Sequence, residues 1–276
     1  MQKYKVEGHE PSMLPEGKKW KLVWHDEFDG KELDMTKWDY RYSIWGNRHR
    51  TWDDEGVKLD GNSNAVFSVY EKNGEICSSQ LQTGHNYLDG APEKDVVDTE
   101  INAGITWPIG KFQKHKFLHT YGYYECRCKL QKKPGWWSAF WMQSPIIGCC
   151  DDPAIAGVEN DIMESFAPGK IQSHHNHYNG YGPDHECARA GHGMDLDLDV
   201  YHTFGMLWTK DGYTFYVDGK EDGHIPGPVS HRPQFLLVST EVGGYRSAEQ
   251  GPTEEAKLAV GDEFIVDYVR VFDEVE

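Results

Sequence analysis

Tyr213-Thr214-Phe215-Tyr216-Val217-Asp218-Gly219-Lys220 sets how the rest of the chain is read. Aromatic and β-branched residues run into Asp-Gly, the pair that closes a two-residue hairpin because both positions accept left-handed backbone. The same pattern recurs in both directions. Short runs of this type lie at 20–24, 64–70, 121–130, 139–142, 161–166, 201–208, 235–239 and 264–272. Turn pairs stand between them: Asp-Gly at 29–30, 60–61, 89–90, 211–212 and 222–223, and Asn-Gly at 73–74 and 179–180. No stretch carries a long helical period, and only 249–256 suits a short helical turn. With no repeat and no low-complexity linker, the 276 residues are expected to form one all-β domain, a sandwich of two large sheets.

Composition narrows the function classes. Lys plus Arg is 28 against 45 Asp plus Glu, a formal charge of −17. That balance excludes a general nucleic-acid binder, which needs a basic stripe to displace counterions. No apolar run approaches the roughly 18–20 residues of a membrane span. The polar opening MQKYKVEGHEPSM has no apolar h-region, so no signal peptide is expected in this chain. Aromatics reach 13 %, far above what disordered chains carry. Six cysteines allow three disulfides in fifteen pairings. Cys126 and Cys128 share one face of a strand, and Cys149 and Cys150 are adjacent in a turn-like stretch. The paired spacing of a structural zinc site is absent. An even count in an acidic, Trp-rich chain suits an extracellular or periplasmic setting, with six reduced thiols as the alternative.

Chemistry concentrates in Gly157-Val158-Glu159-Asn160-Asp161-Ile162-Met163-Glu164-Ser165-Phe166. Glu159 and Asp161 share a strand face, but strict alternation sends Glu164 to the other. One extra residue bulged out at Ile162–Met163 restores the register and aligns all three acids. Crowded carboxylates repel, so a shared face asks for a reason. Glycoside hydrolysis supplies one: an ionised carboxylate attacks the anomeric carbon while a protonated one releases the leaving oxygen. A third acid between them can orient the nucleophile. The plainer alternative is three solvated acids on a polar strand. Lys133-Pro134-Gly135-Trp136-Trp137-Ser138-Ala139-Phe140-Trp141-Met142 lies upstream, and indole faces pack against the C–H faces of sugar rings. Trp136, Trp137 and Trp141 are therefore expected as sugar platforms, although Trp137 and Trp141 alternate with Trp136 across the strand.

Taken together, these motifs resemble glycoside hydrolase family 16, whose members carry Glu-x-Asp-x-(x)-Glu on a strand. The match extends to Val23-Trp24-His25-Asp26-Glu27-Phe28-Asp29-Gly30, Leu33-Asp34 and Lys37-Trp38. It continues through Gly122-Tyr123-Tyr124-Glu125-Cys126-Arg127, Gly135-x-Trp137-x-Ala139-Phe140-Trp141, Tyr216-Val217-Asp218-Gly219 and Asp267-Tyr268-Val269-Arg270-Val271. The resemblance implies a concanavalin-like β-jelly roll of two curved antiparallel sheets with an open concave cleft. One hydrolase domain spans 1–276, with 1–18 an extended amino-terminal segment. It also implies a retaining mechanism with Glu159 as nucleophile, Asp161 as its assistant and Glu164 as general acid/base. No cofactor is required for catalysis, and the expected partner of this monomer is a polysaccharide.

Other residues take their expected roles from this frame. In Ser173-His174-His175-Asn176-His177-Tyr178, His175 and His177 share a face. Two His at that spacing suit zinc, but no third ligand follows at a sensible spacing, so they are expected to touch substrate or nucleophile. His185 and His192 are expected on the surface. Trp45-Gly46-Asn47 resembles a cleft-loop motif of the family's β-1,3-glucanases, but here Arg48-His49-Arg50 follows. Asn47, Arg48 and Arg50 are expected as substrate contacts, and the arginines lean the substrate from laminarin toward a galactan such as agar, porphyran or carrageenan. Arg binds sulfate or carboxylate oxygens in a bidentate fork. A solvated loop is the alternative. Some family members hold a structural calcium on the convex face, and Glu27 and Asp267 match those positions. Competing functions on the same fold are a transglycosylase and a non-catalytic lectin-like protein.

Overall fold

The Asp-Gly hairpin forms as expected. Gly212–Val217 pairs antiparallel with Lys220–Ile225, and Val217 faces Lys220 across the turn. Asp218 and Gly219 take φ of 49° and 71°, the left-handed pair that matches the twist of the flanking strands. In this computed structural model the described residues are 1–41, 48–87, 89–90, 92–93, 109–110, 114–243 and 253–276.

Among them, two large antiparallel sheets dominate. An eight-stranded sheet includes that hairpin, followed across the sheet by His202–Thr209, Gly122–Lys129, Glu263–Val275, Ala65–Ser68 and Val57–Leu59. Lys19–Asp26 also pairs with the long Glu263–Val275 strand. A seven-stranded sheet runs in the order Glu186–Ala190, His174–Tyr178, Glu159–Ser165, Trp136–Gln143, Phe235–Val242, Gln80–Gln82 and Asp39–Tyr40. Its neighbours are adjacent in space but scattered in sequence, as in the family's jelly roll. The sheets bury one shared core that includes Phe204, Trp208, Phe215, Phe140, Met142, Ile162 and Val238. Each nonpolar side chain on these inward faces removes area from water at about 25 cal/mol per Å², and alternation leaves the opposite faces for other uses.

The opposite face of the eight-stranded sheet carries Trp20, Tyr123, Tyr216 and Phe272, which cluster with Leu14. Residues 1–18 include an antiparallel hairpin of Gln2–Tyr4 and Ser12–Leu14 that packs on this cluster. Apolar side chains left on a solvent-facing sheet explain why that segment folds back. The helical turn expected at 249–256 appears as Glu254–Leu258, with the Thr253 side chain accepting from the Ala256 amide as its cap. All six cysteines are unpaired, and Cys126 and Cys128 point together into the core. Among the described residues no helix is long and apolar enough to cross a membrane.

Candidate active site

The two faces of Trp136–Gln143 divide core from cleft. Trp136, Phe140 and Met142 point into the core. Ala139 and Trp141 point the other way, where they cluster with Phe235, Leu237 and Leu118 to floor the concave face. Register then fixes which neighbouring side chains share that floor. Gln143 lies opposite Glu159, Trp141 opposite Asp161 and Ala139 opposite Glu164.

That register contains the expected irregularity. Phe140 pairs with Met163, but Trp141 pairs with Asp161, so Ile162 is the extra residue. Ile162 and Met163 are consecutive, yet both are buried in the core between the sheets. Two successive inward side chains are what a bulge produces, and they return Glu164 to the face of Glu159 and Asp161. Asp161 is nearly buried, whereas Glu159 and Glu164 are half-buried.

An amide, a phenol and two imidazoles meet the acids. Gln143 Nε2 donates to Glu159 Oε2 at 3.0 Å. The Tyr181 hydroxyl donates to the same oxygen. Burial of that hydroxyl and the adjacent Glu159 charge push the phenol well above the usual tyrosine range, so it stays a donor. The residue as a whole is nonetheless half exposed. Tyr181 reaches this position through Asn179 and Gly180, whose φ of 61° and 73° turn the chain sharply after His174–Tyr178. On that strand His177 Nε2 lies 3.2 Å from Asp161 Oδ2, and His175 Nδ1 lies 3.5 Å from Glu164 Oε2. His185 Nε2 is 2.8 Å from His177 Nδ1, and the two rings stack at 4.9 Å. His185 is exposed, as expected, and through His177 it also borders the site.

The remaining expected residues fall in several places. Trp137 is half-buried, packs on Phe166 at 5.2 Å and lies opposite Glu241. Trp141 is a floor residue whose indole donates to Ser239 Oγ at 2.9 Å. Trp136 is no platform: it is buried in the core and its indole donates to Asp262 Oδ2 at 2.9 Å. Adjacent residues on a strand face oppositely, so Trp136 and Trp137 cannot both line a cleft. Asn47 lies outside the described residues. Arg48 donates to Asp54 and, at 3.3 Å, to the Arg41 carbonyl. Arg50 Nε lies 3.2 Å from Glu75 Oε2. Arg41, which the sequence did not single out, spreads over Trp141 at 4.7 Å and Trp52 at 5.3 Å.

Glu27 and Asp267 do not fit a calcium site. Both Glu27 oxygens accept from Arg270, at 2.8 and 2.7 Å, and Asp267 accepts from Arg127. A hard cation needs six or more oxygens, and here guanidinium groups already neutralise the carboxylates.

A strand-borne acid trio on the concave face of a jelly roll is the arrangement the motifs implied. The model of the glycosyl hydrolases family 16 matches residues 44–226, well over half of the chain. The protein belongs to this family. Over 92 % of its length it is 27 % identical to glucan endo-1,3-beta-glucosidase A1 of Niallia circulans, of which the alignment covers 38 %. It is 28 % identical to beta-porphyranase D of Zobellia galactanivorans over 73 % of the chain and 47 % of that protein. The family 16 domain thus spans less than half the length of these two curated relatives. The catalytic domain of an endo-1,3-beta-glucanase (laminarinase) from Thermotoga petrophila superposes with a TM-score of 0.62. It is 23 % identical, and 94 % of this chain and all of that one are covered, which establishes the shared fold.

Proposed function

We propose that this family 16 chain hydrolyses internal β-1,3 or β-1,4 bonds of a polysaccharide with retention of anomeric configuration. The observation that carries the proposal is the single bulge at Ile162, which puts Glu159, Asp161 and Glu164 on one face. Glu159 attacks the anomeric carbon and forms a glycosyl-enzyme bond while Glu164 gives its proton to the departing oxygen. Glu164 then takes a proton from water, whose oxygen releases the sugar from Glu159. Asp161, tied to His177, holds the ground between them, and Gln143 with Tyr181 fixes which Glu159 oxygen is free to attack. No metal takes part in these steps.

For the substrate, a neutral β-glucan is better supported than an anionic galactan. The galactan lean rested on Arg48 and Arg50, and these meet Asp54 and Glu75. The chain's charge of −17 also repels a polyanion at long range. A polysaccharide is met outside the cell, which supports a secreted enzyme. Proton NMR of the first products tests the mechanism: the β-anomer should appear first, and initial α-anomer overturns retention. Parallel assays on laminarin, mixed-linkage glucan, agar and porphyran test the substrate, with release from a glucan expected. Adding acceptor oligosaccharide separates hydrolysis from transglycosylation, and a bound but uncut glycan would mark a lectin-like role.

A further inference from the structure

The sequence supplies two metal-type ligands, His175 and His177, and no third at ordinary spacing. The sheet supplies the third from the neighbouring strand. Asp161 lies opposite His175 in the register, and one oxygen of Asp161 and one ring nitrogen from each histidine come within 4.8 Å of one another. We infer that Asp161, His175 and His177 form a binding site for one divalent transition cation of the zinc class, with water in the fourth position.

The geometry is close to that of such a site. Zinc bonds of about 2.0–2.1 Å to nitrogen and oxygen give tetrahedral edges of about 3.3 Å. His177 Nε2 and Asp161 Oδ2 already stand 3.2 Å apart. The widest separation, at most 4.8 Å, closes by a modest rotation of a histidine that is partly exposed. The outer contacts also match. A ligating imidazole needs its second nitrogen held by a polar partner, which fixes tautomer and ring orientation. His177 Nδ1 meets His185 Nε2 at 2.8 Å, and His175 Nε2 meets Ser173 Oγ at 3.2 Å. With those nitrogens so engaged, His177 Nε2 faces Asp161 and His175 Nδ1 faces Glu164, toward the acids. Two imidazoles with one carboxylate favour zinc or copper over calcium or magnesium, which prefer oxygen alone.

The site overlaps the proposed catalytic group. A cation on Asp161 and His177 takes the assistant away from Glu159 and stands where a sugar ring would pass. Zinc-class ions are therefore expected to inhibit glycan cleavage, with recovery on adding EDTA. That inhibition rests on the proposed function, whereas binding does not, so binding is measured without substrate.

The full chain, freed of metal by chelator, is titrated with ZnCl2 by isothermal calorimetry. One saturable site is expected, with affinity lowered at least about tenfold in His175→Gln and in His177→Gln, the scale on which site partners act. CaCl2 should not compete. The unmodified chain loaded with CoCl2 should show the intense visible absorption of four-coordinate cobalt, which keeps the test valid if a variant misfolds. Absence of saturable binding, unchanged affinity in both variants, or a weak six-coordinate cobalt spectrum overturns the inference. Zinc binding in a chain with no glycanase activity would leave this site standing and sink the function instead.

Discussion

Two clusters of acids sit on opposite sheets of this molecule, and their surroundings differ. Behind the eight-stranded sheet, Glu27, Glu125 and Asp267 are met by Arg270, Tyr268 and Arg127. Arg270 is fully buried, yet its guanidinium reaches both Glu27 oxygens, the Glu10 carbonyl and Ser12 Oγ. Burial pushes the Glu125 carboxyl up, and donors from Ser12, Tyr268 and the Met13 amide pull it partly back. On the concave face, Glu159, Asp161 and Glu164 are met by Gln143, Tyr181, His177 and His175 instead. Glu164 and His177 keep side-chain exposures of 18 % and 25 %. The lesson is chemical. The arginines that meet Glu27 and Asp267 are fixed cations, whereas the histidine, phenol and amide partners of the second cluster leave its carboxylates able to attack or to exchange a proton.

The contrast breaks most sharply at Glu159. Glu159→Gln is expected to lower kcat by roughly 10³-fold or more while the thermal midpoint stays near wild type, because an amide keeps the hydrogen bonds but cannot attack. Substantial turnover in this variant would remove Glu159 from the mechanism. Glu164→Ala should lose about 10²–10⁴-fold on native polysaccharide. Azide should restore rate on an aryl glycoside with a good leaving group, and absence of rescue would move the acid/base role elsewhere.

On the other sheet the loss should appear in stability. Arg270→Met strands Glu27 in a buried site, which costs about 3–5 kcal/mol in urea unfolding. The double variant Glu27→Gln with Arg270→Met should recover much of that loss, since a polar but uncharged pair needs no counter-ion. A single-variant loss below about 1 kcal/mol would show that water reaches the cluster after all. The smallest effect sharpens the comparison at Tyr181. Tyr181→Phe removes one donor to a charged oxygen and should lower kcat about tenfold, with KM little changed. An equal rise in KM would make Tyr181 a sugar contact instead of a nucleophile-positioning residue.

Local pattern made the fold legible and left distant pairing dark. The Asp218-Gly219 hairpin follows from turn chemistry, and the Ile162 bulge from asking what would bring Glu164 onto the face of the other two acids, both over a few residues. Trp136 failed as a platform for the same reason: parity with Trp137 assigns one of them to the core, and composition had grouped both. The partner of Glu27 lies 243 residues away at Arg270, and no spacing rule reaches that far. Arg48 and Arg50 found acids in the next turn and on another strand, which only the folded chain reveals. The Asn179-Gly180 pair announced a turn but not that it would deliver Tyr181 to Glu159. The surface placement of His185 was legible, but its stacking on His177 was not, because that depends on how the turn returns.

The bulge at Ile162 has an evolutionary consequence. Removing one codon at 162 leaves Glu-x-Asp-x-Glu, in which plain alternation still keeps all three acids on the same side. The acid-bearing strand can therefore take two lengths, each a single deletion or insertion from the other, with the three acids on one face in both. A codon lost at 160 instead makes Glu159 and Asp161 immediate neighbours and sends one of them inward. Length variation in this strand thus keeps the three acids together only at the step between the second and third acid.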